Sequence, residues 1–141
     1  MQHVEFKDLK EDEIRWANDE YDATLAYQDE EMRRLMEALE ARGILENTLV
    51  IVSSDHGEHF GDHRRMGHMN SLYRQLIQVP LLMRLPGKVP AGLVVKTPVS
   101  LRDLPQTVLD LSALPDSGHR FPGASLARFW NGTPMDSALS R

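Results

Sequence analysis

The chain has 141 residues, the size of one ordinary domain, with a net charge of −5, 41% hydrophobic residues and 6% aromatic ones. This is apolar enough for a core of Leu, Val, Ile and Met. With only Arg33-Arg34 and Arg64-Arg65 as adjacent basic pairs, it leaves no footprint for nucleic acid. No apolar run is long enough for a membrane span and the first residues carry no signal-peptide core, so no membrane partner is expected and no segment marks a compartment. The absence of cysteine removes disulfides, thiolate metal sites and a cysteine nucleophile together.

Ile14 to Arg42 is predicted to be a long helix. Ile14, Ala17, Tyr21, Leu25, Met32, Leu35 and Leu39 recur at three- and four-residue steps and form one apolar stripe. Unbroken, the helix would run roughly 40 Å. Gln28 interrupts the stripe, and Asn18 marks a possible break. Tyr21 and the helix methionines are expected in the core. Gly43 reads as the C-terminal cap. Thr48 to Ser53 reads as a strand buried on both faces, since its β-branched run does not alternate.

From Ser54 to Ser71 polar residues dominate, and a long loop is predicted. A short helix over Ser71–Ile77, a strand over Val79–Leu85 and a weaker strand over Leu93–Val99 follow. Asp103 is expected to cap a helix over Leu104–Leu111. Ala124–Trp130 is expected to add a helical turn, and the Pro-, Gly- and Ser-rich remainder from Pro115 is expected to fray at its end. The order is that of an α/β fold with a small β-sheet flanked by helices. Its sheet edges are unprotected, so a second copy could pair there as a homo-oligomer.

Asp55 and His56 fall where the predicted buried strand ends, the place where open α/β sheets bind ligands. A carboxylate beside a neutral imidazole suits Zn²⁺, Mn²⁺ or Fe²⁺, whereas a carboxylate alone suits Mg²⁺ or Ca²⁺. Four of the six histidines lie at positions 56, 59, 63 and 68. A solvated loop with incidental histidines is the bland alternative, and the preceding strand weighs against it. Two ligands are too few for a tight zinc site, so His59 or His63 is a candidate third, unless further ligands lie elsewhere.

The stretch Ser54-Asp55-His56-Gly57-Glu58-His59-Phe60-Gly61-Asp62-His63, with Gly67-His68, Ser71-Leu72-Tyr73 and Val79-Pro80-Leu81-Leu82, resembles the C-terminal half of bacterial sulfatases, members of the alkaline phosphatase superfamily. Tyr21-Asp22-Ala23, Gly43 to Thr48, Leu85-Pro86-Gly87, Asp103 to Leu109 and Gly123-Ala124-Ser125-Leu126 continue the resemblance, with Ala124 where the family has Arg.

The resemblance implies an alkaline-phosphatase-like sandwich, present here in part, with residues 1–141 as one partial catalytic domain lacking its N-terminal half. It implies that Asp55 and His56 bind one divalent metal ion (Ca, Mg, Mn or Zn), although many sulfatases carry Asn at the position of His56. It implies that His68, flanked by Gly67 and Asn70, contacts the transferred sulfate or phosphate group. His63 and Glu58 are less secure candidates. Glu58 is either a partner orienting a ligand imidazole or a solvated carboxylate, with the second slightly favoured.

The family's formylglycine nucleophile is made within a Cys/Ser-x-Pro/Ala-x-Arg segment. That segment and the N-terminal Asp-Asp metal ligands are both absent here. The intact parent is expected to hydrolyse sulfate esters, and this chain alone is expected to be inactive. The alternatives are a phosphodiesterase or phosphonate monoester hydrolase with the same metal pair, or a non-catalytic metal-binding or dimerising module.

Overall fold

The structure is a computed structural model that describes residues 10–68, 71–112, 114 and 121–131. They divide into two compact units, one formed by residues up to 45 with 51–82, the other by 46–50 with residues from 83 on. The fold is α/β, as expected, but among the described residues the strands form two small two-stranded sheets, β1 (Val50–Ser53) with β4 (Leu81–Arg84) and β2 (His59–Phe60) with β3 (Met66–Gly67). The expected fraying of the C-terminal residues falls outside the described ones.

Helix α1 spans Glu11–Ala41, 31 residues or about 46 Å. Glu11, Asp12 and Glu13 set negative charge on its first turn, and the Glu13 carboxylate accepts from the Lys10 N–H at 3.0 Å. The helix continues through Asn18, whose side-chain amide donates to the Ile14 carbonyl at 2.8 Å, and through the exposed Gln28. It ends as predicted. Gly43 takes φ +69°, and the Gly43 and Ile44 N–H groups return to the Glu40 and Leu39 carbonyls at 2.8 and 3.1 Å.

The apolar stripe is not core. No residue of α1 is buried, and Tyr21, Leu25, Met32 and Leu35 are exposed. Ile14, Ala17, Met36 and Leu39 are half-buried. Tyr21 meets Phe60 of β2 edge-on at 4.9 Å between ring centres, and Ile14 lies against Gly61.

Three further expectations are corrected. β1 is partly rather than fully buried. The stretch after it is not a plain loop, because β2 and β3 pair antiparallel within it, His59 opposite Gly67 and Phe60 opposite Met66. Leu93–Val99 is not a strand. Residues 91–100 are all exposed and lie beside no described strand, and β propensity without a pairing partner does not make one. The short helix α2 (Arg74–Ile77) and strand β4 form where expected.

In the second unit, α3 spans Leu104–Ser112, and the 3₁₀ turn Leu101–Asp103 leads into it. Ser100, not Asp103, caps that start, its hydroxyl accepting from the Arg102 N–H at 3.2 Å. The Asp103 side chain is turned inward, toward the segment at 124–128. A 3₁₀ turn at Leu126–Phe129 occupies part of the stretch predicted to be a helical turn. Lys88 donates to the Leu111 carbonyl at 2.6 Å, placing positive charge at the end of α3.

Leu85, Leu111, Leu126 and Ala127 form the core of this unit around a fully buried Thr107. Thr107 donates to the Asp103 carbonyl at 2.6 Å and accepts from the Leu126 N–H at 2.9 Å. Thr107→Val keeps the shape but strands the Leu126 N–H, so thermal or urea denaturation should show a loss of about 1–3 kcal/mol. An unchanged midpoint would mean that this bond contributes nothing.

Candidate functional site

β1 delivers Ser54, Asp55 and His56 at its end, and Gly57 then carries the backbone under α2. The Gly57 N–H donates to the Leu76 carbonyl at 2.8 Å. A Cβ on Gly57 would stand 1.9 Å from the Gln75 carbonyl oxygen, so only glycine permits this approach. The loop carrying Asp55 and His56 is thus seated on α2 by its own backbone.

The Asp55 carboxylate is pinned locally. Its Oδ1 accepts from the His56 N–H at 3.0 Å, while Ser54 Oγ donates to the His56 carbonyl at 2.6 Å. Its Oδ2 lies 3.8 Å from His56 Nε2. The charge of the His56 ring, and after it the His56 and Asp55 backbone N–H groups, hold the Asp55 carboxyl below the usual carboxylate range. It is therefore ionised at neutral pH, with its side chain 86% exposed. His56 Nδ1 lies 2.9 Å from the Gly57 carbonyl. A carbonyl only accepts, so Nδ1 carries the hydrogen and the lone pair of a neutral ring sits on Nε2, beside Asp55. The adjacent Asp and His do converge on one side, as their position past the strand end implied.

The hairpin brings the next two residues into place. Its register, His59 opposite Gly67, puts Glu58 opposite His68 one step beyond the ladder. There Glu58 Oε2 accepts from His68 Nδ1 at 3.0 Å, and the His68 ring stacks on His56 with centres 4.2 Å apart and planes 26° apart. Glu58 is not the solvated carboxylate that the sequence slightly favoured. Its side chain is 22% exposed and committed to His68. His56, Glu58 and His68 each offer one ligand atom, all within 4.8 Å of one another.

The other two histidines are placed elsewhere. His59 is fully buried, its Nε2 2.9 Å from Ser71 Oγ. His63 takes the left-handed backbone (φ 53°), and its ring stacks on Tyr73 at 3.7 Å, with the Arg65 guanidinium 5.8 Å from the Tyr73 ring. Neither belongs to the group of His56, Glu58 and His68. Along a strand successive side chains face opposite ways, so Glu58 toward His68 sends His59 inward. That alternation was the available signal for preferring Glu58 to His59.

The donor set fits a divalent ion. It combines a carboxylate with an imidazole whose other nitrogen is held by a carbonyl, the arrangement that orients metal-ligating histidines. It does not fit a formylglycine, since no Cys is present and no Cys/Ser-x-Pro/Ala-x-Arg segment occurs.

The α/β elements are of the alkaline-phosphatase-like kind. A phosphonate monoester hydrolase from Silicibacter pomeroyi superposes with a TM-score of 0.64 at 35% identity, over 77% of this chain and 21% of that one. The Sulfatase family model matches residues 4–114, and the chain belongs to the sulfatase family. Arylsulfatase K of Danio rerio is 41% identical over 77% of this chain and 20% of its own length. An endo-4-O-sulfatase of Bacteroides thetaiotaomicron is 34% identical over 82% and 22%. A choline-sulfatase of Rhizobium meliloti is 33% identical over 76% and 20%. The similarity reaches vertebrate and bacterial sulfatases alike, and the chain spans about a fifth of the length of these relatives. Among the described residues, no helix is long and apolar enough to cross a membrane.

Proposed function

We propose that this chain supplies the metal-contacting and anion-contacting part of the catalytic domain of a sulfuric ester hydrolase. The observation that carries the reading is the convergence of Asp55 Oδ2 and His56 Nε2 at 3.8 Å past the end of β1, with His68 stacked against His56. The family of the chain and the sulfatase names of its relatives support sulfate esters as the substrate class. Asp55 and His56 are ligands of one divalent ion, which when bound supplies positive charge that polarises a sulfuryl oxygen.

The chain's own residues do the rest. The His56 N–H and the Gly57 carbonyl orient the two ligands. Glu58 engages His68 Nδ1, so Nε2 is the ring nitrogen left to meet an ester oxygen. Protonated there, His68 sets a positive charge against the oxygen on which charge builds. No nucleophilic step is derived from this chain, and alone it is expected not to turn over an aryl sulfate. Turnover that disappears in Asp55→Ala would overturn that expectation.

Calorimetric titration tests the ligand pair. Asp55→Ala and His56→Ala should each weaken Mn²⁺ or Ca²⁺ binding by about tenfold or more, since losing even a partner that only orients a ligand costs about tenfold. Affinity unchanged in both variants would remove the metal reading.

The likeness to a phosphonate monoester hydrolase favours a second substrate class, phosphoryl or phosphonyl esters, at the same residues. Shifts of the His68 ring signals in NMR on adding sulfate or methylphosphonate in the presence of Mg²⁺ would separate the two. The anion that perturbs the ring at the lower concentration marks the class.

A further inference from the structure

The geometry points to a second metal-binding mode that does not use Asp55: His56, Glu58 and His68 form a three-ligand site for a zinc-like transition-metal ion. The inference goes beyond the proposed function and shares only His56 with its ligand pair. The three ligand atoms lie within 4.8 Å of one another. Tetrahedral zinc with bonds of about 2.0–2.1 Å needs its ligand atoms about 3.3 Å apart. Glu58 Oε2 and His68 Nδ1 are already 3.0 Å apart. The half-exposed His56 ring is stacked on His68, so it turns out of that stack to bring its in-plane lone pair onto the ion.

The framework for this site is built in. The β2–β3 register fixes Glu58 opposite His68, and the Gly57–Leu76 bond under α2 fixes the backbone that carries His56. The hydrogen between His68 Nδ1 and Glu58 is the one that zinc would replace, leaving as a solvated proton. Zinc accepts imidazole nitrogen, whereas calcium and magnesium prefer oxygen and gain little from two imidazoles. The two modes share the His56 imidazole, so they exclude each other, and zinc also withdraws His68 from anions. Zinc would therefore act against the function proposed above.

The test is calorimetric titration of the 141-residue chain with ZnCl₂ and separately with MnCl₂, folding of every variant being checked by circular dichroism. The expected result is one zinc per chain. Glu58→Gln and His68→Asn should each weaken zinc binding by about tenfold or more, while Asp55→Asn and His63→Ala leave it within about threefold. Saturating zinc should abolish Mn²⁺ binding. Zinc affinity that survives both Glu58→Gln and His68→Asn, or that falls as far in Asp55→Asn or His63→Ala, overturns the three-ligand site. Failure of the Asp55–His56 reading shows separately, as Mn²⁺ binding indifferent to Asp55→Asn.

Discussion

Asp103→Ala is expected to cost the second unit about 3–5 kcal/mol, the usual penalty for removing one partner of a buried ion pair. The Asp103 side chain is 11% exposed and that of Arg128 20% exposed. Its carboxylate accepts from the Ala124 N–H at 3.0 Å and from Arg128 at 3.2 Å, and the Ser100 N–H approaches at 3.4 Å. Removing it leaves these donors without their acceptor and releases the 124–128 segment from the start of α3.

The pH dependence follows from the same contacts. Burial pushes the Asp103 carboxyl up, but the Ala124 N–H, the Arg128 guanidinium and the Ser100 N–H together push it further down, so its folded value is depressed. The folded state then binds its proton less readily than the unfolded chain. The contribution is complete above about pH 4, the unfolded range for aspartate, and is lost as pH falls through the depressed folded value. Urea midpoints followed by Trp130 fluorescence, measured from neutral pH down to about pH 3, should fall in the wild type and change less in Asp103→Asn. Equal acid sensitivity in the two proteins would assign the effect to other carboxylates.

Gly57→Ala should dismantle the candidate site without unfolding the chain. The added Cβ would sit 1.9 Å from a backbone oxygen of α2, where no flexible side chain can yield. Either the loop or α2 must move, and the Gly57–Leu76 bond at 2.8 Å is lost with it. Overpacking of this kind costs about 1–3 kcal/mol. The larger effect is on function, since Asp55, His56 and Glu58 all ride on the displaced backbone. Mn²⁺ affinity should fall at least as far as in Asp55→Ala, about tenfold or more, while the circular dichroism signal of α1 persists. Metal affinity within twofold of wild type would show that the seat on α2 does not position the ligands.

The contrast between α1 and the histidine loop shows where sequence reading stops. The helix was legible because its stripe and its Gly43 stop are local properties of the backbone and of residue spacing. Whether that stripe is buried is not local. It depends on what packs against it, and here Tyr21 and Ile14 meet β2 and the turn after it while Leu25, Met32 and Leu35 stay exposed. The Leu93–Val99 stretch failed for the same reason, since strand propensity needs a neighbouring strand. Asp103 was correctly singled out, but its role was not. Sequence suggested a local cap, whereas a partner 25 residues away took the carboxylate.

The sequence by itself determined the Asp55-His56 pair, its place at a strand end and the family of the chain. A strand that stops in Asp-His-Gly, followed by an ordered set of motifs, is written in residue order alone. It also marked four clustered histidines without being able to sort them. Only the tertiary structure did that. The antiparallel register set Glu58 against His68 and turned His59 inward, and the stacking of His63 on Tyr73 took a third histidine away. The physical reason is that residues 58 and 68 become neighbours through hydrogen bonds across a hairpin, a pairing that no spacing within one strand encodes.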